Sequence, residues 1–126
     1  VTEPAFLLDT NILIYLIDGT SETLRARVED REPGELITST LCVAEAAFGL
    51  RDDPVAQARL DMLLDIVKPA PFTLEAARRF PEVPFRRGKL DRFIAAHVLT
   101  LGLVLVTNNP GDFADVPHLR IENWTI

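Results

Sequence analysis

Three carboxylates stand where a globular chain normally places apolar side chains. Asp9 interrupts an apolar run, LLDTNILIYLI over residues 7–17. Glu45 lies in TLCVAEAAFGL, four residues after Leu41 and three before Phe48, which puts all three on one helical face. Asp91 opens a stretch in which Ile94, Ala95 and Val98 continue its own stripe. A buried, unpaired carboxylate costs several kcal/mol or takes up a proton to escape its charge. Taken singly, the three have plainer readings: a helix cap, a first-turn charge favoured by the helix dipole, and a solvated edge residue. Converging, they would repel one another unless a cation sat between them. The donors are hard oxygens. The single cysteine, Cys42, and the two histidines, His97 and His118, fall in different elements and cannot build a zinc site. The ion that suits the acids is Mg²⁺ or Mn²⁺, and the chemistry it serves is phosphodiester hydrolysis.

The elements that must position these acids can be read from periodicity and turn residues. AFLLD (5–9) has the form of a short buried strand, and TNILIYLI opens a helix with Asp9 or Thr10 as its cap. Ser21 caps a helix over 21–30, a turn and a strand follow within 33–39, and Thr40 is expected to cap the helix that carries Glu45. Pro54 starts an amphipathic helix over 54–67, residues 68–72 form a connection that could hold a short strand, and 73–80 is a further short helix. After a loop over 84–88, KLDRFIAAHVLTLG is helical and closes at Gly102; LVLVT (103–107) is a strand, NNPGDF a loop, and LRIENWTI ends in a last strand. Strands alternating with helices predict an α/β fold with a mostly parallel sheet covered on both faces. Ligands of such sheets bind beyond the C-terminal ends of the strands, where Asp9 and Thr107-Asn108-Asn109 fall.

The chain of 126 residues is expected to form one domain, 1–126, with a hydrophobic fraction of 48% and 25% charged residues. Its net charge of −6 has the wrong sign for general nucleic-acid binding. Arg86, Arg87, Lys89 and Arg92 nevertheless cluster around Asp91, where they could grip phosphates; the alternative is a solvated loop and helix start. One cysteine excludes an intrachain disulfide and fits a reducing cytoplasm. No basic leader and no run near the roughly 18 apolar residues of a membrane span is present, so no membrane association is expected. Cys42 and Trp124 read as packing residues, and His97 as a partly buried histidine rather than a base.

Four segments together resemble the PIN-domain ribonucleases, and more narrowly the VapC-type toxins of bacterial toxin–antitoxin pairs: LLDTNILIYLID, TSTLCVAEAAFGL, LDRFIAAHVLTLGLVLVTNNPGDF and LRIENW. They lie in the right order and span essentially the whole chain. The resemblance implies a three-layer α/β/α sandwich that cleaves RNA with Mg²⁺ or Mn²⁺ held by three or four acids. It assigns the first acid to Asp9, the second to Glu45 and the third to Asp91. Thr10 and Asn11 match the small polar residues after the first acid, with Asn11 as a buttress, and Thr107 would orient the Asp9 carboxylate through its hydroxyl. Where many members carry an aspartate two residues after that threonine, this chain has Asn109; Asp112 is the nearest acid able to fill the fourth place, with Asn109 a neutral supporting residue. Similar toxins are blocked by a small antitoxin (VapB-like) that directs a basic side chain at the acids, and they commonly form homodimers.

The expectation is therefore a metal-dependent endoribonuclease acting as a toxin. Two other classes compete with it. A phosphatase using Asp9 as nucleophile would carry a second aspartate two residues on, where this chain has Asn11. A non-catalytic PIN-like binding module would lack at least one acid, and Asp9, Glu45 and Asp91 are all present.

Overall fold

The computed structural model describes residues 2–87 and 89–126. Its centre is β1, Phe6–Leu8, whose three residues are buried on both faces of the sheet, as a run without polar alternation requires. The chain then builds α1 (Thr10–Asp18), α2 (Glu22–Glu29) and β2 (Leu36–Ser39). Next come α3 (Thr40–Gly49), α4 (Pro54–Leu64) and β3 (Lys68–Ala70). The last elements are α5 (Leu74–Arg79), α6 (Asp91–Leu101), β4 (Val104–Val106) and β5 (Arg120–Glu122). All neighbouring strands pair in parallel in the order β3-β2-β1-β4-β5, with Phe6 opposite both Leu36 and Val104. The six helices flank this sheet, giving the α/β/α arrangement that the resemblance implies.

The strand order matters for function. From β1 the chain works outward through β2 to β3, then returns to the other side of β1 to lay down β4 and β5. The reversal lies between β1 and β4, and the crevice beyond their carboxyl ends is where such sheets bind ligands. Asp9 follows β1 directly and Thr107 follows β4.

The local boundaries follow from capping chemistry. Asp9 is extended, and its Oδ1 accepts a hydrogen bond from Ile12 N at 3.2 Å, so Asp9 rather than Thr10 caps α1. At α3 the expected cap shifts by one residue. Ser39 Oγ accepts from Leu41 N at 3.0 Å, while the hydroxyl of Thr40, already helical, accepts from Phe72 N at 3.2 Å. Gly102 closes α6 with φ 68°, a left-handed conformation that a side chain would strain. Residues 68–70 do form a strand, and α4 stops at Leu64, three residues before the expected end.

The core gathers Leu7, Leu8, Ile12, Leu13, Leu105 and Val106 with Ile94, Ala95 and Val98 of α6. Phe48, which the sequence leaves as a core or interface residue, lies outside the core. It is 68% exposed, because α3 turns Cys42 and Ala46 inward and leaves Phe48 outside under the guanidinium of Arg51, 4.2 Å away. Trp124 packs edge-on against Phe6 at a centroid distance of 4.9 Å, sealing the sheet as expected. Among the described residues no helix is long and apolar enough to cross a membrane.

Candidate active site

Asp9, Glu45, Asp91 and Asp112 line one cavity of about 300 Å³ at the β1–β4 switch point. Each comes from a different segment. Asp9 is the residue after β1, Glu45 lies on α3, Asp91 begins α6, and Asp112 sits in a 3₁₀ turn over Pro110–Asp112. Thr10, Asn11, Thr107 and Asn109 share the lining, so every acid and supporting residue expected from the sequence reaches the same space. Asn108, at the strand end where ligands were expected, and Ile94, on the stripe of Asp91, also line it, as do Leu90 and Phe113, which had no signal in the sequence beyond their neighbourhood.

Three of the four acids, Asp9, Glu45 and Asp112, are held by neighbours through hydrogen bonds. Asp9 is buried, and that burial pushes its carboxyl up to about 6 from an ordinary 3.8. The Thr107 hydroxyl and the Ile12 amide oppose the rise by hydrogen bonding, whereas the negative charge of Glu45 adds to it. Thr107 Oγ1 accepts a hydrogen bond from Asn109 N at 3.1 Å, which leaves its own proton free to donate to Asp9. Thr10 Oγ1 donates to Glu45 Oε1 at 2.6 Å. Asn109 Nδ2 donates to Asp112 Oδ2 at 2.8 Å, so the amide that stands where a fourth acid is common serves here to orient Asp112. Asp91 keeps a buried Oδ1 without a hydrogen-bond partner; Arg92 Nε approaches it at 3.6 Å.

Cations are placed differently from the sequence expectation. Lys89, expected on the phosphate path, lines the acidic cavity itself and supplies positive charge on its wall. Arg92 is a correction: it is fully buried and cannot grip a phosphate. Its Nη1 donates to Asp115 Oδ1 at 3.1 Å and to the Pro84 carbonyl at 3.3 Å, and Nη2 donates to the Asp112 carbonyl. The anchoring partner, Asp115, was not singled out in the sequence, because nothing in DFADVP marks it as facing an arginine. Arg86 and Arg87 are exposed, and Arg86 Nη2 pairs with Asp115 at 3.1 Å.

His97 is buried on α6 and does not line the cavity. His97 Nδ1 and Ser39 Oγ are hydrogen-bonded at 2.8 Å, and burial holds the imidazole below its usual basicity. His97 is thus a neutral link between α6 and the start of α3. Cys42 is buried, its thiol pushed up to about 12 by burial and then by the charge of Asp9.

The donor set suits a hard divalent cation: carboxylate oxygens, with hydroxyl and amide neighbours and an orphaned oxygen on Asp91. Among the described residues, however, no three His, Cys, Asp or Glu side chains close into a ready-made ligand cluster.

The fold and this switch-point crevice define a parallel α/β domain with an acidic ligand site, and comparison with known proteins makes its family definite. The PIN domain profile matches residues 6–119, and the chain belongs to the PIN-domain family. It is 30% identical to Ribonuclease VapC2 of Haemophilus influenzae over 94% of this chain and 97% of that protein. With the tRNA(fMet)-specific endonuclease VapC of Shigella flexneri it shares 28% identity over 95% and 98% of the two chains. Among solved structures, VapBC2 from Rickettsia felis bound to a DNA fragment from its promoter superposes with a TM-score of 0.84 at 25% identity, covering 95% of this chain and 98% of the other. DNA-bound VapBC from Salmonella typhimurium gives 0.81 at 26% identity, covering 96% and 98%.

Proposed function

We propose that this chain is a Mg²⁺- or Mn²⁺-dependent endoribonuclease and the toxin of a cytoplasmic toxin–antitoxin pair. The observation that carries the reading is the arrival of Asp9, Glu45, Asp91 and Asp112, from four separate segments, in one crevice at the switch point. Whole-length likeness to proteins named as VapC ribonucleases supports the reaction class.

Asp9, Asp91, Glu45 and Asp112 are the residues that would hold the ion. Mg²⁺ keeps several waters and binds through only one or two carboxylates directly, so it does not need three acids closed into a cluster. When bound, such an ion polarises the phosphoryl oxygen and lowers the pKa of a water. The chain's own residues set the geometry. Thr107 aims the Asp9 carboxylate, Thr10 fixes Glu45, and Asn109 with Arg92 fixes the Asp112 turn from its side chain and its backbone. The neutral Asn11, where a phosphatase would need its second aspartate, disfavours the aspartate-nucleophile reading.

Resemblance to VapBC assemblies supports a VapB-like antitoxin as partner, one that covers the acids with a basic group. A homodimer is the expected assembly; Phe48, Val55 and Met62, exposed on α3 and α4, are available to it.

The test is cleavage of a structured RNA pool by antitoxin-free protein with Mg²⁺ or Mn²⁺. Cleavage is expected to stop on chelation and to fall at least about a hundredfold in Asp9→Asn and Asp91→Asn. Cleavage that survives both chelation and Asp9→Asn would rule this mechanism out.

A further inference from the structure

Beside the acidic cavity lies a second groove, of about 350 Å³, with a different chemistry. Its lining is Phe80, Phe85, Leu90 and Phe93 with two cations, Arg86 and Lys89, and no carboxylate. Lys89 and Leu90 line both spaces, so the groove adjoins the crevice that holds the acids. Phe80 and Phe93 are stacked at a centroid distance of 4.3 Å and 15° between planes, forming an ordered aromatic wall. Phe85 is 72% exposed, a large apolar ring left in water at the groove.

We propose that this groove is a subsite for an unstacked base of a single-stranded nucleic acid, adjacent to the phosphate handled by the acids. The proposal rests on the nuclease reading and specifies how its substrate is seated. Aromatic faces with interleaved cations are the combination that binds single strands: rings stack on bases of any identity, and cations take the flanking phosphates. On a molecule of net charge −6, a carboxylate-free groove bordered by Arg86 and Lys89 is complementary to a polyanion. Lys89 pairs with no carboxylate among the described residues, whereas Arg86 already shares Asp115; Lys89 is therefore the stronger phosphate contact. Stacking requires a base free of its helix, so the groove selects loops and single strands over duplex.

The experiment measures binding of a mixed-sequence single-stranded RNA dodecamer, and of the same sequence as a duplex, to Asp9→Asn protein across a salt series. Adding Phe85→Ala is expected to weaken single-strand binding about tenfold with an unchanged salt slope. Adding Lys89→Ala is expected to flatten the slope by about 0.7. Phe85→Trp retains affinity, and its emission is quenched by the bound strand above a constant background from buried Trp124. Unchanged affinity in Phe85→Ala, or no preference for the single strand, overturns the subsite. Unchanged RNA affinity together with a weakened grip on a co-expressed antitoxin would assign the groove to the protein partner instead. Wild-type protein that binds RNA through Phe85 yet cleaves none with Mg²⁺ or Mn²⁺ sinks the nuclease reading and leaves the subsite standing.

Discussion

At the scale of single residues, Asp9 carries the largest conflict in the molecule. Its carboxyl titrates near 6 in the folded chain against 3.8 in the unfolded one, so between those values the folded state binds the proton more tightly. Stability contributed by the protonated acid is present below about pH 4, falls as pH rises through the window, and stays lost above it; two units amount to about 3 kcal/mol. Asp9→Asn keeps a good helix cap while removing the charge. Cation-free protein carrying it should be more stable than wild type at pH 7.5 by up to about 2 kcal/mol in urea unfolding, with the gain vanishing near pH 4. A loss of stability at pH 7.5 would mean that the carboxylate is already compensated. Asp9 and Asp91 were legible because each breaks an apolar pattern. Arg92 was misread because it sits among other basic residues in the sequence; only the fold shows that its side chain turns inward to Asp115 while its neighbours remain in water.

At the scale of elements, the same arginine joins three pieces. From α6 it reaches the Pro84 carbonyl before the helix and both the Asp112 carbonyl and the Asp115 carboxylate after β4. Removing it leaves a cavity, unpaired carbonyls and an Asp115 that keeps only the exposed Arg86 as counter-charge. Arg92→Ala should cost about 3 kcal/mol or more in chemical unfolding and accelerate amide exchange over residues 110–116. A change below about 0.5 kcal/mol would show that the tie is dispensable. The helices were readable from their period and caps, with an error of one residue at the start of α3 and of three at the end of α4. At the start of α3 three hydroxyls stand in sequence, and their tertiary partners are not local: Thr38 donates to the Leu8 carbonyl, Thr40 accepts from Phe72 N, and Ser39, the cap, also meets His97. The short β3 was ambiguous because KPA carries neither alternation nor β-branched residues, and pairing with β2 alone makes it a strand.

At the scale of the whole molecule, the alternation of strands and helices predicted the parallel sheet, and the end-of-strand rule placed the site. What no local pattern could supply was the order of strands, hence the meeting of Glu45 and Asp112 across the reversal point. A cation bound by acids from four segments favours the folded chain as a unit. At a Mn²⁺ concentration a hundred times its dissociation constant, the global unfolding free energy should rise by about 2.7 kcal/mol, and Asp9→Asn should lose most of that gain. A Tm that ignores Mn²⁺ in wild-type protein would remove the ion from the account.

The two borders of the sheet have a further consequence. One border strand, β3, places Pro69 between Lys68 and Ala70; the other, β5, carries Arg120 and Glu122. A missing amide proton on one side and alternating charge on the other make poor templates for another strand. Neighbouring copies released at high local concentration, as when translation outruns a partner's supply, are thereby discouraged from zipping edge to edge into fibrous deposits. Contacts with other chains are left to the helices and the crevice, where they can be undone.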